Sequence, residues 1–332
     1  MTSLMKRRFT LATMVFMLAV TGMLANGLAA EKSAIYPAKP IELVVAYTPG
    51  AITDLFGRLL ADELSKKWGA PIYVVNKGGG NTIPAVQYVM QAAPDGYTLL
   101  VEVAGTSSTQ ILLPDLIPYK VEARTFIARV SASPHGFMVP ATAPWKDLKQ
   151  LTQEVKKEPA KLKWVSMGGN STIDITTRQY LAAIGVDPAA TSPVSFPGAA
   201  PGMTAVAGGH ASLIVSNPRT MLSLVQAGKS RILAVTSPDR LKWLPDVPTT
   251  KELGFPQVNY AYWAGFSGPP GLPDGVVNTW VKAINELVKD TGFVNGLSDK
   301  VGMYPFYAGS KEFRDFALGE SHGLKQLFGI SK

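Results

Sequence analysis

One segment near the start of the chain constrains its fold most strongly. From Ile41 to Leu64, an apolar strand pattern runs into a glycine-containing loop that opens an amphipathic helix. The first N–H groups of a helix lack intrahelical partners and lie at the positive end of its dipole. A carboxylate or phosphate can be held there without a cationic side chain. We therefore predict an α/β protein whose loop at Pro49-Gly50-Ala51-Ile52-Thr53-Asp54 binds a small anion.

The same loop excludes several other kinds of site. It contains no Cys, His or Lys that could act as nucleophile or base. It matches neither the phosphate loop that ends in Gly-Lys-Ser/Thr nor the spaced-glycine fingerprint of dinucleotide-binding proteins. The loop is thus interpreted as a binding element without catalytic groups.

Strand and helix patterns alternate along the rest of the chain, which is typical of parallel sheets with crossover helices. The composition shifts near Ser131–Pro134, and a second strand, loop and helix unit follows around Lys163–Ile184. A Pro-rich stretch then leads to Tyr260–Trp263, where we expect the chain to cross back. Two crossings imply two lobes, a hinge and a cleft between the lobes. Gly105-Thr106-Ser107-Ser108 forms a further loop at the carboxyl end of a strand, where ligands of open α/β sheets bind.

The first thirty residues have the pattern of a secretory signal peptide. Lys6-Arg7-Arg8 precede an apolar run from Phe9 to Leu24, which is shorter than the roughly 20 residues that span a bilayer. We predict cleavage near Ala29 or Ala30 and a periplasmic protein. A twin-arginine signal is the alternative, although only Arg7 and Arg8 of that motif are present.

Composition narrows the function. The chain has no Cys, which excludes disulfides and thiol chemistry. Its formal charge of +8 includes three residues of the signal, leaving +5 on dispersed side chains, so we expect no nucleic-acid partner. The three His residues have no partner at metal-binding spacing, and Gly265-Phe266-Ser267-Gly268-Pro269 misses the nucleophile-elbow pattern. We predict no metal, no cofactor and no enzyme activity. The enzyme alternative is an acid pair for glycoside chemistry, formed by Asp54 and Asp174 facing each other across the cleft.

Several short motifs occur together and in order. They are Tyr36-Pro37-Ala38-Lys39-Pro40-Ile41, the Pro49-Gly50 loop, Ala92-Ala93-Pro94-Asp95-Gly96-Tyr97-Thr98, Phe196-Pro197-Gly198-Ala199-Ala200 and Leu244-Pro245-Asp246-Val247-Pro248-Thr249. With these motifs the chain resembles the Bug family, the periplasmic solute-binding receptors of tripartite tricarboxylate transporters. The resemblance implies a type II periplasmic-binding fold with two α/β lobes joined by two crossings. Lobe 1 would comprise 36–135 plus 262–332, and lobe 2 would comprise 136–261, after a signal peptide at 1–30.

The resemblance also implies where a carboxylate would bind. One loop of each lobe would hold it through backbone amides, hydroxyls and bridging waters. The residues expected to line the site are Tyr47, Gly50, Ala51, Ile52, Thr53, Asp54, Thr106, Gly168, Gly169, Asn170, Ser171, Thr172, Asp174, Phe196, Gly198, Ala199, Asn217 and Trp263.

Two departures from the family pattern affect this expectation. An apolar Ile52 enters the first loop, where paired glycines followed by Ser-Thr-Asp are usual. Asp174 replaces the usual His of the second loop. A bare carboxylate beside a bound anion is unfavourable unless it is protonated or bridged, which argues against a simple multivalent anion as ligand.

Alternative roles stay open for several of these residues. Thr53, Asp54 and Asp174 suit helix capping as well as ligand contact, whereas the hydroxyls of Ser171 and Thr172 suit donation to an anion. The aromatic side chains of Tyr47 and Trp263 fit the cleft or the core equally well. Asn217 precedes Pro218, which is also ordinary turn chemistry.

The sequence thus predicts a monomeric receptor that closes on a small organic acid and delivers it to a membrane permease. The rival is a receptor for a sensor kinase, and an extracytoplasmic hydrolase is the enzyme alternative. The identity of the ligand is not encoded in any side-chain pattern that we can read.

Overall fold

The computed structural model describes residues 36–108, 110, 115–169 and 171–330. The predicted signal peptide and Asn170 lie outside the described residues. Every described strand and helix lies in one compact unit, Lys39–Lys332. Within the described residues, none of the helices is both long and apolar enough to cross a membrane.

Strands and helices alternate along the chain, in agreement with the sequence pattern. The described strands are β1 (Ile41–Val45), β2 (Ile72–Asn76), β3 (Thr98–Val103), β4 (Thr125–Ser133), β5 (Gly136–Pro140), β6 (Lys163–Ser166), β7 (Ser192–Ser195), β8 (Ile214–Ser216), β9 (Ser230–Val235), β10 (Tyr262–Gly268) and β11 (Tyr304–Ala308). The described α-helices are α1 (Ile52–Trp68), α2 (Ile83–Met90), α3 (Leu148–Lys157), α4 (Thr172–Ala183), α5 (Ala199–Ala207), α6 (Pro218–Gln226), α7 (Asp274–Leu287), α8 (Thr291–Gly296) and α9 (Ser310–Leu327).

The first sheet has six strands in the order β11-β4-β10-β3-β1-β2. Strand β1 pairs in parallel with β2 and β3, as predicted, but β10 runs antiparallel to both β3 and β4. The sheet is therefore mixed: the parallel pairing of β1, β2 and β3 agrees with the sequence pattern, and β10 and β11 run against it. The cause is the topology: β4 leaves for the second sheet at the carboxyl edge of β1–β3, and β10 returns across that same edge in the opposite direction.

The second sheet places β5 between β8 and β9, antiparallel to both. Strands β6 and β7 form a parallel pair, and an isolated parallel bridge between Trp164 and Leu213 joins this pair to the segment that leads into β8. Strands β6, β7 and β8 consequently end at one edge. A core around Phe137, Trp164 and Tyr180 lies beneath them.

The crossings between the two sheets are hydrogen-bonded to each other. The Thr236 amide donates to the His135 carbonyl at 2.8 Å, and the His135 amide donates to Thr236 Oγ1 at 2.9 Å. On the His135 ring, Nδ1 lies 2.6 Å from Thr176 Oγ1 of α4. The linking segments are thus tied to a helix of the second sheet.

Candidate functional site

Three loops of the first sheet meet at one edge because β1, β2 and β3 are parallel. They follow these strands at 46–51, 77–82 and 104–108. The loops pack closely: a Cβ on Gly78 would lie 3.3 Å from the Thr48 amide nitrogen, and a Cβ on Gly105 would overlap the Tyr47 hydroxyl. Glycine at both positions lets the loops form one surface.

The first turn of α1 opens on this surface without a side-chain cap. Ala51 is the N-cap residue and accepts no hydrogen bond through its side chain, and Gly50 precedes it with φ of 80°. Thr48, Pro49 and Gly50 are exposed. The free N–H groups of the first helical turn therefore face a solvated loop, which is the geometry of an anion site.

Asp54 holds the first loop in shape from inside the helix. Its carboxylate is 2% exposed and accepts hydrogen bonds from the Gly50 amide at 2.8 Å, Asn76 Nδ2 at 2.9 Å and Arg58 Nε at 3.0 Å. Burial alone would raise the pKa of Asp54, but the hydrogen bonds from Arg58, Gly50 and Asn76 lower it below its ordinary value. The charge of Asp54 is thus used within the protein and orders the loop.

Neutral hydroxyl groups line the floor beside this loop. The Thr53 and Tyr262 hydroxyl oxygens lie 2.5 Å apart. Burial raises the pKa of Tyr262 well above its ordinary value, and burial followed by the charge of Glu102 raises that of Tyr47 to about 12. Both tyrosines therefore stay protonated at neutral pH.

The loop of the second sheet between β6 and α4 is wrapped around Asp174. This carboxylate is fully buried and accepts hydrogen bonds from Ser166 Oγ at 2.5 Å, the Met167 amide at 3.1 Å and Ser171 Oγ at 2.5 Å. Ser171 Oγ in turn accepts from the Asp174 amide at 3.2 Å, completing a capping box at the start of α4. The amides of Met167 and Ser171 and the Ser171 hydroxyl are thus already engaged by the Asp174 carboxylate.

The next loop of the second sheet leaves from the same edge. Ser166 pairs with Ser195 at the ends of β6 and β7, so Phe196 and Gly198 emerge beside the loop around Asp174. Phe196 is half-buried, and Gly198 caps α5 without a side-chain hydrogen bond. Ala199 is the first residue of that helix.

Three other predicted residues make their contacts within the protein. Thr106 is fully buried and donates to Glu102, and Trp263 is 1% exposed and packs on Phe313 in the core. Asn217 donates to Ser133 Oγ at 2.7 Å and caps α6 through the Arg219 amide. Their contacts are structural, and their assignment to a ligand remains a prediction.

Sequence reasoning missed the residues that support the site. Arg58 and Asn76 brace Asp54, and Tyr262 joins Thr53. A position one turn after Asp54 and a polar residue ending a strand are common patterns, so neither stands out in a sequence. The glycines 78–80 after β2 offered a signal, because they end a strand parallel to β1.

Within the described residues, no group of three or more His, Cys, Asp and Glu side chains could hold a metal ion.

Two α/β sheets, two hydrogen-bonded crossings and loops gathered at the carboxyl edges of the strands define a two-lobed periplasmic solute-binding protein with a cleft between its lobes. The family comparison refines this class. A family model described as tripartite tricarboxylate transporter family receptor, TctC, matches residues 56–329, and the chain belongs to this family.

Individual relatives agree with that assignment. The protein named UPF0065 protein in gbd 5'region, from Cupriavidus necator, is 30% identical over 309 residues, covering 90% of each chain. A solved TctC solute-binding protein from Polaromonas is 26% identical with a TM-score of 0.77, covering 89% of this chain and 99% of that chain. MatC from Rhodopseudomonas palustris, solved with bound malate, is 24% identical with a TM-score of 0.69, covering 88% and 99%. At that identity, MatC supports the fold alone.

Proposed function

We propose that this receptor closes its two lobes on a small organic acid and delivers the acid to a membrane permease of the tripartite tricarboxylate type. Family membership supports the receptor role. The observation that carries the acid as ligand is the uncapped first turn of α1, which faces an exposed loop at the edge of the first sheet. Free amides at a helix start favour a carboxylate over a neutral or cationic group.

The moving parts of the proposal are the two lobes, 36–135 plus 262–332 and 136–261. The strands of the first sheet come from the former ranges and those of the second sheet from the latter. The paired crossings at His135 and Thr236 would act as the hinge. A ligand that bridges the loops of both lobes adds contacts in the closed state alone, and that difference shifts the population toward closure.

The two loops differ in charge, and we propose that this orients the ligand. In the first loop the buried carboxylate of Asp54 is balanced by Arg58 at 3.0 Å and the first turn of α1 has no side-chain cap, whereas in the second loop the Asp174 carboxylate accepts from hydroxyl and amide groups. A ligand carboxylate therefore belongs at α1, and the opposite end carries a hydroxyl, amide or amine instead of a second bare charge. MatC binds malate, which combines carboxylates with a hydroxyl.

A thermal-shift screen of the purified protein tests this function. The panel comprises malate, adipate, aromatic acids and amino-acid-like acids, with the corresponding amides and alcohols as neutral controls. At one hundred times the dissociation constant, a ligand stabilises the folded state by about 2.7 kcal/mol, which raises the melting temperature by several degrees. We expect shifts from acids and not from their neutral counterparts. If no acid shifts a protein shown by denaturing mass spectrometry to be ligand-free, the proposal is wrong.

A further inference from the structure

A second cavity is lined by residues outside the loops of the candidate site, although one of them, Glu320, contacts Ser108 of the loop at 104–108. Its volume is about 1000 Å³. Its walls are one face of α9, the second half of α4, the segment between β9 and β10, and β11. Of the residues predicted from the sequence to bind the ligand, Trp263 alone lines this cavity. The cavity thus has its own lining and its own chemistry.

Glu320 of α9 is the acidic group inside the cavity. Its carboxylate accepts a hydrogen bond from Trp263 Nε1 at 2.8 Å and another from the Ser108 hydroxyl. Both bonds end on Oε2, and the side chain remains partly exposed to the cavity. In the described part of the chain, no Lys, Arg or His lies within 4 Å of this carboxylate. The Glu320 carboxylate thus accepts hydrogen bonds but has no salt-bridge partner among the described residues.

A cation of the first sheet, Arg129, acts electrostatically on Glu320 and offsets part of the rise in pKa that burial causes. The Arg129 guanidinium of β4 lies 3.8 Å from the Phe306 ring centroid and 4.1 Å from that of Phe316, and its Nε donates to the Phe306 carbonyl at 2.9 Å. Asp315 and Lys251 are exposed residues of the lining, and their charges have opposite signs. The interior of the cavity therefore presents the Glu320 carboxylate to a ligand, while the Arg129 guanidinium is stacked on Phe306 and Phe316 of its wall.

Aromatic side chains form much of the surrounding wall. Those lining the cavity are Tyr260, Trp263, Tyr304, Phe306 and Phe316. Aromatic faces attract cations through the negative potential of the ring, and they also bury apolar groups well. A carboxylate among such faces is suited to an ammonium group attached to an apolar body.

Two glycines in α9 leave this wall open. Gly319 and Gly323 lie inside the helix and line the cavity, and a Cβ at either position would meet no atom within 4 Å. Glycine inside a helix costs roughly 1 kcal/mol relative to alanine. Close packing does not require either glycine, so their effect is to enlarge the cavity beside Glu320.

We propose that this cavity is a second small-molecule site, which binds an organic ammonium ion with an aromatic or aliphatic body. The ammonium group pairs with Glu320, and the body packs on the aromatic wall. Residues of both proposed lobes and Thr236 of the proposed hinge line this cavity, but its ligand has the opposite charge to the acid proposed for the loops, so different ligands test the two proposals.

Isothermal titration of the purified protein with phenethylamine tests the site. The titration is made at pH 8, where the amine is protonated and Glu320, whose pKa burial raises to about 7, is ionised. 3-Phenylpropanoate, a similar body with the opposite charge, is the matched probe. We expect the amine to bind and the acid not to bind in this cavity.

Two variants locate the binding. Glu320→Gln keeps an oxygen acceptor for Trp263 and Ser108 but removes the charge, and it should weaken phenethylamine binding about tenfold or more. Gly323→Leu places a bulky side chain in the part of the cavity beside Glu320 and should block the space that the ligand occupies. Gly275→Leu is the control. Gly275 is an exposed residue of α7, and a Cβ there would meet no atom within 4 Å. Thermal melts confirm that each variant folds.

The outcomes are decisive in both directions. Loss of binding in Gly323→Leu and retention in Gly275→Leu support the cavity, and a selective loss in Glu320→Gln supports the charge pairing. The proposal is overturned if phenethylamine does not bind at millimolar concentration, or if it binds the Gly323→Leu variant as tightly as the unmodified protein. Equal binding of 3-phenylpropanoate that Gly323→Leu abolishes would overturn the choice of a cation.

Discussion

A single residue, Ala51, decides how the first turn of α1 meets a ligand. Ala51 accepts no hydrogen bond through its side chain, so the helix start is left for solvent or an anion. Replacing it with Asp supplies an internal carboxylate cap. We expect Ala51→Asp to raise the free energy of unfolding by about 1 kcal/mol and to weaken carboxylate binding at least about tenfold, because two anions would compete for the same amides.

Ala51→Ser separates the two effects. Serine caps the helix without a charge, so it should give a similar stabilisation with a smaller loss of affinity. Urea denaturation measures the stability, and titration with an acid from the thermal-shift screen measures the affinity. Unchanged affinity in Ala51→Asp would place the carboxylate away from α1.

Residue types in the sequence indicated the candidate loops but not the use of each side chain. The strand, loop and helix order located 49–54 and 168–174 correctly at sheet edges. Asp174 was open between capping and ligand contact, and its bonds to Ser166, Met167 and Ser171 show a capping and loop-ordering role. Those bonds depend on how the loop folds back, which no local pattern encodes.

At the scale of elements, replacing a helix glycine and a strand glycine with alanine should change the free energy of unfolding in opposite directions. Gly319 lies inside α9 beside open space, whereas a Cβ on Gly265 of β10 would collide with the Ala128 carbonyl of β4. We expect Gly319→Ala to raise the free energy of unfolding by roughly 0.5–1 kcal/mol, because alanine favours the helix. We expect Gly265→Ala to lower it by about 1–3 kcal/mol, because the strands must separate locally. Urea denaturation compares them.

A gain in Gly265→Ala would mean that β4 and β10 are less closely packed than described here. A lower free energy of unfolding in Gly319→Ala would mean that another segment approaches Gly319 more closely than the open space described here.

The sequence predicts some of the helices and strands and misses others. Helices α1 and α4 lie where the sequence predicted strand, loop and helix units, within Ile41–Leu64 and around Lys163–Ile184. Strands β4, β7 and β11 were not predicted: β7 and β11 are short and contain proline, which weakens a strand pattern. The direction of β10 depends on the route of the whole chain through the second sheet.

At the scale of the whole molecule, the type II fold was confirmed by family membership and by the solved relatives. Order and spacing of motifs carry that information because they reflect the entire chain. The second cavity had no such signal. Its lining comes from α4, α9, β11 and the segment between β9 and β10, which approach each other only after the sheets form.

The pH dependence of stability is a property of the whole molecule because two buried groups far apart in sequence oppose each other. Burial raises the pKa of Glu320 from 4.5 to about 7, so folding stability falls as pH rises through that window. Burial lowers the pKa of His135 from 6.5 to about 4, so stability is lost as pH falls through that window. Between about pH 4.5 and 6.5 the two slopes have opposite signs.

Single variants should expose each slope. In Glu320→Gln the His135 slope remains, and we expect the free energy of unfolding to rise between pH 4.5 and 6.5 by about 2–3 kcal/mol more than in the unmodified protein. In His135→Asn only the Glu320 slope remains, so the free energy of unfolding should fall as pH rises from 4.5 to 6.5. This fall should be smaller than the rise in Glu320→Gln, because the cavity partly solvates Glu320. Urea denaturation at intervals of pH measures both profiles. Parallel profiles for Glu320→Gln and the unmodified protein would show that Glu320 titrates near its ordinary pKa, since only a raised pKa couples its proton to folding in this range.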